Sequence, residues 1–328
     1  MTLDRVRSFA DPFIVALVAV VVAASFLPCR GAYAQAFGAL TTAAIVLLFF
    51  LHGARLSREA ILTGIGNWRL HVAVLASTFM LFPIVGLALH AILGGALNRA
   101  MLDGIVFLCL LPSTVQSSIA FTSIARGNVS AAVCGASLSN LLGIVVTPAL
   151  VTVLLRGNGA HMSLGSAEGI VLELLAPFVL GHLSRPLTAR FLARYAQIVG
   201  LVDRGSILLV VYTAFSAAVV KGLWLQLSAG DFAAVVGQDA LVLAIGLSAT
   251  TCVARLFGVP RMDEIAIVFC GSKKSLAAAV PMAGLLFPAA SVGPMLVPIM
   301  LYHQIQLMTC AVLARRYAAG WARQPAPA

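Results

Sequence analysis

The sequence predicts an all-α integral membrane protein with ten transmembrane helices. Its 328 residues are 61% apolar and only 10% charged. Soluble domains carry about 25% charged and about 45–50% apolar residues, so this composition excludes a soluble enzyme and a disordered chain. A transmembrane helix needs about 20 mostly apolar residues, which leaves room for about ten spans joined by short connections.

Ten apolar runs, each bounded by polar or glycine-rich residues, mark these spans in order along the chain. Most are close to the length that a helix needs to cross the hydrocarbon core of a bilayer. They lie near residues 11–28, 35–52, 70–92, 100–125, 129–154, 167–184, 203–221, 234–257, 263–287 and 292–314.

The distribution of basic residues predicts the orientation. Loops rich in lysine and arginine stay on the cytoplasmic side. Fifteen basic residues fall at the termini or in the loops on the same side, namely Arg5, Arg7, Arg55, Arg58, Arg69, Arg126, Arg185, Arg190, Arg194, Arg204, Arg255, Arg261, Arg315, Arg316 and Arg323. The opposite side has four, which are Arg30, Arg99, Arg156 and Lys221. We therefore expect both termini in the cytoplasm, in a bacterial inner membrane or a plasma membrane.

The first span has an alternative reading. Arg5 and Arg7, the apolar run 13–27 and the segment Ala32-Tyr33-Ala34 together mimic a cleavable secretory signal. Cleavage would leave nine spans without changing the orientation of the others. We favour a retained first helix because the ten-span arrangement needs it.

Composition also limits the partners. The formal net charge is +10, but the arginines are scattered between apolar runs rather than clustered on one solvated surface, so we expect no nucleic-acid partner. The six cysteines show no CxxC spacing, which argues against a disulfide framework and a structural zinc site. The expected partners are the lipid bilayer and a small organic anion, with no cofactor beyond a coupling ion, Na⁺ or H⁺. A monomer is compatible with the sequence, which does not fix the oligomeric state.

The ten helices divide into two groups of five, residues 1–155 and 156–328. Because five is odd, a duplicated five-helix unit must insert its second copy upside down, as in many secondary transporters. In each half the fourth helix is interrupted by polar residues with Gly or Pro, and the fifth carries a polar pair at i, i+3, Ser137/Asn140 and His303/Gln306. The sequence therefore predicts two inverted repeats whose discontinuous fourth and ninth helices cross near the bilayer midplane.

The fourth span should open at Pro112. Proline removes a backbone donor and disfavours helix at Leu111, so we expect a half-helix to resume from about Ser113. Unwound backbone at membrane depth needs protein or a water-filled cavity to satisfy it. The free amides and positive dipole end of the half-helix would face a ligand, together with the side chains of Ser113, Thr114, Gln116, Ser117 and Ser118. The alternative is a proline-kinked helix whose hydroxyls bind its own backbone.

Two of the chain's three lysines, Lys273 and Lys274, are adjacent in the middle of the ninth span. Each lysine at a helix centre costs about 2.5–3.5 kcal/mol, so the pair needs partners or water. They do not mark a membrane surface, because the apolar pieces 265–271 and 275–287 are both shorter than about 20 residues. We expect both ammonium groups to face a wet cavity near the midplane. With Ser272 and Ser275 they would suit a carboxylate, sulfate or phosphate.

Three further polar residues, Asn140, His303 and Gln306, lie in the fifth and tenth spans. They are candidates to line the same cavity. Hydrogen bonding between helices is the common use of such residues in membranes, and both interpretations stay open.

At these stretches the chain resembles the bile acid:sodium symporter family, solute carrier family 10, and most closely its member-7-like branch. The resemblance covers nearly the whole chain and rests on residues 112–118, 271–276 and 302–306, with Ala125-Arg126-Gly127 and Thr147-Pro148. It implies a ten-helix fold with a panel domain of the first, second, sixth and seventh helices and a core domain of the other six. Alternating access would move one domain against the other.

The chain departs from the family at the positions linked to sodium. Sodium-coupled members place a Glu followed four residues later by a Gln at the ninth-helix crossing, where the resemblance puts Val268 and Ser272. Hydroxyls of their fifth helix correspond to Ala132 and Ala136. Na⁺ binds through several oxygen atoms and usually a carboxylate, and none of the 11 acidic residues is expected at this crossing. These replacements argue against sodium coupling.

Ser117 and Ser118 keep the family's fourth-helix hydroxyl pair and are the candidate metal ligands if sodium binds. We hypothesise instead that Lys273 or Lys274 supplies the positive charge of the missing cation. Transport would then be uncoupled or coupled to protons, since a buried lysine can exchange a proton.

Together these features predict a symporter-like secondary active transporter that carries a small organic anion by alternating access, and not an enzyme. One alternative is a membrane sensor or regulator of ion entry on the same fold, without net transport. A remote alternative is an intramembrane hydrolase in which a lysine activates a serine within residues 272–275. No GxSxG, HExxH or glycine-rich phosphate loop accompanies that pair in the sequence.

Overall fold

The computed structural model describes residues 12–55, 67–93, 99–155, 168–226 and 228–321. Within these ranges the regular secondary structure is helical and contains no strand. The expectations that concern Arg5, Arg7, Arg58, Arg156 and Arg323, and with them the two ends of the chain, lie outside the described residues.

Fourteen α-helices follow one another in the described ranges. They are α1 (Pro12–Phe26), α2 (Ala32–Arg55), α3 (Trp68–Ala76), α4 (Phe82–Leu93), α5 (Arg99–Leu110), α6 (Val115–Ile124), α7 (Val129–Leu154), α8 (Ala176–Arg194), α9 (Ala196–Val220), α10 (Leu223–Gln226), α11 (Ala229–Leu256), α12 (Arg261–Gly271), α13 (Leu276–Leu286) and α14 (Ala289–Trp321). A π-helical turn, Ser77–Leu81, joins α3 to α4, and a second, Ile170–Leu175, leads into α8.

Seven helical segments in the described part of the chain are long and apolar enough to cross a membrane. An eighth candidate is the pair α5 and α6, which are bent by 62° at the break between them. The predicted first span is helical in α1 but only 15 residues long, and the predicted sixth span begins with the second π turn. Ten spans and the inverted repeat therefore remain predictions.

One compact unit comprises Met1–Ser57, Val151–Ser228 and Ala279–Val297. In it α2 packs against α8 and α9, and α9 packs against α1. Two glycines let α2 and α8 approach closely: a Cβ atom on Gly53 would lie 1.9 Å from the carbonyl oxygen of Phe178, and one on Gly181 would lie 2.0 Å from that of Phe50. Any larger residue would force the two backbones apart.

The second unit comprises Arg58–Leu150, Ala229–Ala278 and Pro298–Ala328. Its centre is α12, which is buried from Asp263 to Gly271 and packs against α3, α6 and α11. Small and branched aliphatic side chains on α3, α7, α11 and α12 form one apolar cluster around it, and aromatic and aliphatic residues on α6, α12 and α14 form another. The assignment of helices to a panel and a core domain stays a prediction.

Hydrogen bonds to Asp263 fix the start of α12. Its carboxylate accepts from Asn67 Nδ2 at 2.8 Å and from Asn128 Nδ2 at 2.7 Å. These bonds tie the start of α3 and the α6–α7 connection to the same point. In that connection Arg126 takes a left-handed backbone conformation with φ of +58°, which ends α6 and turns the chain toward α7.

Candidate functional site

The fourth span is broken at Pro112. Helix α5 ends at Leu110, Thr114 has an extended backbone (φ −82°, ψ 123°), and α6 begins at Val115. Proline has no amide hydrogen and disfavours helix at the residue before it, which explains the end of α5. The half-helix starts two residues later than the expected Ser113, because the extended Thr114 precedes its first turn.

The ninth span is interrupted at the two lysines. Helix α12 ends at Gly271, and α13 begins at Leu276 after four non-helical residues. The hydroxyl oxygen of Ser275 accepts a hydrogen bond from Ala278 N at 3.2 Å, the geometry of a serine that caps a helix N-terminus. This cap starts α13 at once and keeps the break short.

Hydrogen bonds join the two breaks. They run from Ser275 N to Pro112 O (3.0 Å), from Ser113 Oγ to Cys270 O (2.6 Å), from Thr114 Oγ1 to Lys274 O (2.7 Å) and from Ser118 Oγ to Phe269 O (3.0 Å). The last carbonyls of a helix lack intrahelical donors, and hydroxyls of the fourth span supply donors to the end of α12. These three hydroxyls therefore bind the facing span and not their own helix.

Further hydroxyls of the crossing are also engaged. Ser272 Oγ donates to Val268 O at 2.6 Å, and the carbonyl of Ser272 accepts from the Tyr302 hydroxyl at 2.9 Å. The amide of Ser113 donates to Ser139 Oγ at 3.1 Å. The structure thus brings Ser113, Thr114, Ser118, Ser272 and Ser275 together, but as the polar groups that build the crossing.

The ammonium group of Lys274 is held by backbone carbonyls. Its Nζ donates to Thr78 O at 3.0 Å, to Cys109 O at 2.9 Å and to Leu111 O at 2.8 Å. All three of its N–H groups are therefore used, and the nitrogen also lies 4.3 Å from the centre of the Phe82 ring. Two of the carbonyls are free because α5 ends at Leu110, so the break in the fourth span creates the site that this lysine fills.

Lys273 has a different environment. Its Nζ is buried and makes no hydrogen bond with the described residues. The nitrogen lies 4.1 Å from the centre of the Phe121 ring, a cation–π contact. The thiols of Cys270 and Cys310 lie within electrostatic range of it.

The expectation that both ammonium groups face a wet cavity as a pair is wrong for this structure. Lys273 is fully buried and Lys274 is 1% exposed. One side chain lies against Phe121 on α6 and the other against Phe82 on α4. Because the chain is not helical here, adjacent side chains diverge, and the unpaired carbonyls at the end of α5 attract only one of them.

The side-chain amide of Gln306 forms two hydrogen bonds with the backbone of Lys274. Its Oε1 accepts from Lys274 N and its Nε2 donates to Lys274 O, both at 3.0 Å, which fixes the orientation of the amide. The same Nε2 lies 3.0 Å from Nδ1 of His303. An amide nitrogen only donates, so Nδ1 is the acceptor and Nε2 of His303 carries the proton.

Three further predicted residues, Gln116, Asn140 and Ser117, do not take part in the hydrogen bonds described above between the two breaks. Gln116 is exposed at the start of α6, and Asn140 on α7 is half-buried. Asn140 follows Ser139, which binds the first break, and lies one turn before Gly143, which packs on Pro112. The hydroxyl of Ser117 is buried without a hydrogen-bond partner among the described residues.

Sequence reasoning missed Asp239 on α11. Its side chain is 0% exposed, and neither carboxylate oxygen makes a hydrogen bond of good distance and angle in the described ranges, although the backbone of Tyr302 acts on it. The side chains of Cys109 and Tyr302, two residues of the crossing, lie within electrostatic range. Asp239 is therefore an acidic residue near the crossing that the sequence interpretation did not include; the expectation that no carboxylate occupies the sodium-linked positions stays a prediction. The signal was present, because an ionisable residue inside an apolar run is costly and marks a functional position.

Three of the positions linked to sodium in the family are apolar and closely packed. Val268 is fully buried, and Ala132 and Ala136 belong to the apolar cluster between α3, α7 and α12. The thiol of Cys270 packs there too, with Sγ 3.5 Å from Ala132 O. These side chains offer no oxygen ligand to a cation.

Two broken helices joined at their interruptions are typical of secondary transporters, and the comparison with known proteins agrees with this class. The family model described as the SBF-like CPA transporter family matches residues 11–319. The chain belongs to this family. It is a multi-span membrane protein of a transporter family and not an enzyme.

The relatives carry names of the same kind. Two bacterial proteins are each 52% identical to this chain: "Uncharacterized protein PA2026" of Pseudomonas aeruginosa, over 96% of this chain and 95% of its own length, and "Putative symporter YfeH" of Escherichia coli, over 94% and 92%. Sodium/bile acid cotransporter 7 of Danio rerio is 26% identical over 94% of this chain and 93% of its own length. The predicted resemblance to the member-7-like branch is confirmed.

Proposed function

We propose that this protein carries a small organic anion across the membrane by alternating access, without sodium, and that the Lys274 ammonium occupies the place of a coupling cation. The observation that carries the proposal is the set of three carbonyl oxygens at 2.8–3.0 Å from Lys274 Nζ. Carbonyl oxygens are also the groups with which proteins bind metal cations. The ammonium group of Lys274 supplies positive charge to these carbonyl oxygens without a bound metal ion, because it is covalently attached to the chain.

The apolar packing around Val268 and Ala132 supports the absence of a sodium requirement. A sodium ion at this place would lose its hydration shell and gain no oxygen ligand from these side chains, and burying an uncompensated ion is costly. Of the two serines that the family pairs at the fourth helix, Ser118 donates its hydroxyl hydrogen to Phe269 O, which supports a role for it in joining the two broken spans.

The start of α6 is the proposed contact for the anion. No side chain caps it, because the Thr114 hydroxyl is bound to Lys274 O. The first amides of a helix lack intrahelical acceptors and carry the positive end of the helix dipole. The series of hydrogen bonds from Thr114 through Lys274 and Gln306 leads to His303, whose Nε2–H is a second donor. Gln116 and Asn140 complete the proposed set.

Ligand-induced thermal stabilisation tests the proposal. Purified protein is heated with taurocholate, a steroid sulfate or succinate, with sodium chloride replaced by choline chloride in a parallel series. A ligand at about 100 times its Kd stabilises a protein by about 2.7 kcal/mol. We expect an anion that stabilises the protein to do so equally in both salts. His303→Ala should weaken the effect, and Met308→Ala, at an exposed position of the same helix, should not.

Counterflow of the stabilising anion in proteoliposomes separates transport from the alternative of a sensor without net transport. A steep sodium requirement would refute the substitution of the cation by Lys274. Equal stabilisation by anionic and cationic solutes would refute the anion preference. We further propose the location as a bacterial inner membrane, like that expected for the two bacterial relatives, with both termini in the cytoplasm.

A further inference from the structure

The buried carboxyl group of Asp239 has no role in the crossing as described so far. It lies on α11 in the second compact unit and is fully buried, and neither oxygen makes a hydrogen bond of good distance and angle with the described residues. The backbone of Tyr302 is the polar group that favours its charged form, through a contact too poorly aligned to count as a full hydrogen bond. Lys274, in contrast, satisfies its charge with three carbonyls, and Lys273 lies on an aromatic ring. Asp239 is therefore the ionisable group of this interior whose charged form has the least compensation.

An ionised carboxylate needs donors or a cation, and burial without them is strongly unfavourable. Intramembrane carboxyl groups accordingly mark ion pathways and proton relays in membrane proteins. A bound proton removes the charge and leaves a hydroxyl that packs in an apolar environment at lower cost. The structure is thus compatible with Asp239 in its protonated form.

The neighbours of Asp239 connect it to the ninth-span break. The thiol of Cys109 lies within electrostatic range, and the carbonyl of the same residue accepts from Lys274 Nζ. The side chain of Tyr302 also lies within range, and its hydroxyl donates to Ser272 O. A change of charge at Asp239 therefore acts on two residues that hold the break.

Other titratable groups occur on the elements that pack against α11 or adjoin the site, and several are engaged elsewhere. Cys270 on α12 contacts Ala132 O, and His71 on α3 lies beside Gly135. At the start of α12, Glu264 forms ion pairs with Arg255 and Arg261. Asp263 accepts hydrogen bonds from Asn67 and Asn128. The titratable groups that act on Asp239 from the neighbouring elements are Cys109 on α5 and Tyr302 on α14.

We propose that Asp239 is a proton-binding site whose protonation state controls the break between α12 and α13. With the proton bound, Tyr302 donates to Ser272 O and the break is closed as observed. When the proton leaves, the carboxylate competes for the Tyr302 hydroxyl, and the Tyr302–Ser272 hydrogen bond is lost. The assignment of that proton as the coupling ion rests on the transport function proposed above.

Infrared difference spectroscopy between acidic and alkaline pH tests the proton site. The wild-type protein should show the C=O stretching band of a protonated carboxylic acid, and the band should shift when aspartate is labelled with ¹³C at its carboxyl carbon. Asp239→Asn should remove the band. Asp231→Asn, the same change eight residues earlier on the same helix, should keep it. A wild-type protein without the band, a band insensitive to the label, or a band retained in Asp239→Asn would overturn the proposal.

Hydrogen exchange at the break tests the control. The amides of Lys274 and Ser275 are bound to Gln306 and Pro112, so opening of the break should expose them. At alkaline pH we expect these amides to exchange several-fold faster in the wild type and in Asp231→Asn than in Asp239→Asn, which stays neutral. Equal exchange in all three proteins at the same pH would overturn the coupling. Sodium-dependent slowing of the exchange would identify a metal cation at Asp239 and would also overturn it.

Neither measurement uses a transported solute. Support from both with no anion carried would leave the proton site standing and refute the proposed transport of an organic anion. Sodium-independent anion transport with a negative infrared result would support the proposed transport and refute the proton site. The two proposals therefore fail separately.

Discussion

Replacing Lys274 by methionine removes an ammonium group from three backbone carbonyls that face it at 2.8–3.0 Å. Methionine has a similar length and no donor. A buried acceptor left without its hydrogen bond costs about 1–3 kcal/mol, which gives about 3–9 kcal/mol for the three. Part of this is offset because no charge is buried in the variant. We therefore expect a loss of about 3–5 kcal/mol, as for other broken buried charge interactions.

Lys273→Met is the matched control, since the residue is adjacent and equally buried but makes no hydrogen bond with the described residues. It loses only a cation–π contact with Phe121, worth about 0.5–2 kcal/mol. The variant also no longer buries a charge, which acts in the opposite direction. We expect a stability close to that of the wild type.

Thermal unfolding in one detergent, followed by the fluorescence of the three tryptophans, measures the difference. At about 2 °C per kcal/mol for a large domain, Lys274→Met should lower the midpoint by about 6–10 °C. Lys273→Met should change it by less than about 2 °C. An equal fall for the two variants, or a larger fall for Lys273→Met, would refute the assignment of Lys274 as the ammonium group that the carbonyls hold.

Three further predictions concern packing and turns. Gly53→Ala should destabilise the protein by about 1–3 kcal/mol or more, because its methyl group would lie 1.9 Å from a carbonyl oxygen. Gly38→Ala in the same helix, with no described atom within 4 Å of the new methyl group, should stabilise it by about 0.5–1 kcal/mol. Similar unfolding midpoints for the two variants would contradict the close approach of α2 and α8. Arg126→Gly should raise the midpoint by the equivalent of about 1 kcal/mol, since glycine adopts a φ of +58° freely; a lower midpoint would speak against the turn. Asp263→Ala and Asn128→Ala should show a coupling of about 0.5–3 kcal/mol in a double-mutant cycle, whereas additive losses would mean that their hydrogen bond contributes nothing.

The sequence located the breaks because their causes are local. Pro112 cannot continue a helix, and two lysines in an apolar run cannot lie in an ordinary lipid-facing one. Which groups satisfy the opened backbone could not be read in the same way. Thr114 meets Lys274 across 160 positions of the chain, and the facing donors and acceptors depend on how the helices approach one another.

Asp239 shows a second kind of limit. Its place in an apolar run was visible, but one acidic residue gives no indication of its neighbours, and Cys109 and Tyr302 come from two other helices. The same holds for the divergence of Lys273 and Lys274, since adjacent residues point the same way or apart according to backbone angles that neighbouring spans impose.

Composition, periodicity and the positions of proline and lysine were enough to determine a membrane protein with interrupted helices, because transfer into lipid and helix termination are properties of short stretches of chain. Only the tertiary structure decided that Lys274 is enclosed by carbonyls, that Lys273 lies on an aromatic ring, and that the carboxyl group of Asp239 is buried within electrostatic range of Cys109 and Tyr302. Those outcomes depend on which polar groups become neighbours once water is excluded, and that is decided by the packing of segments far apart in the chain.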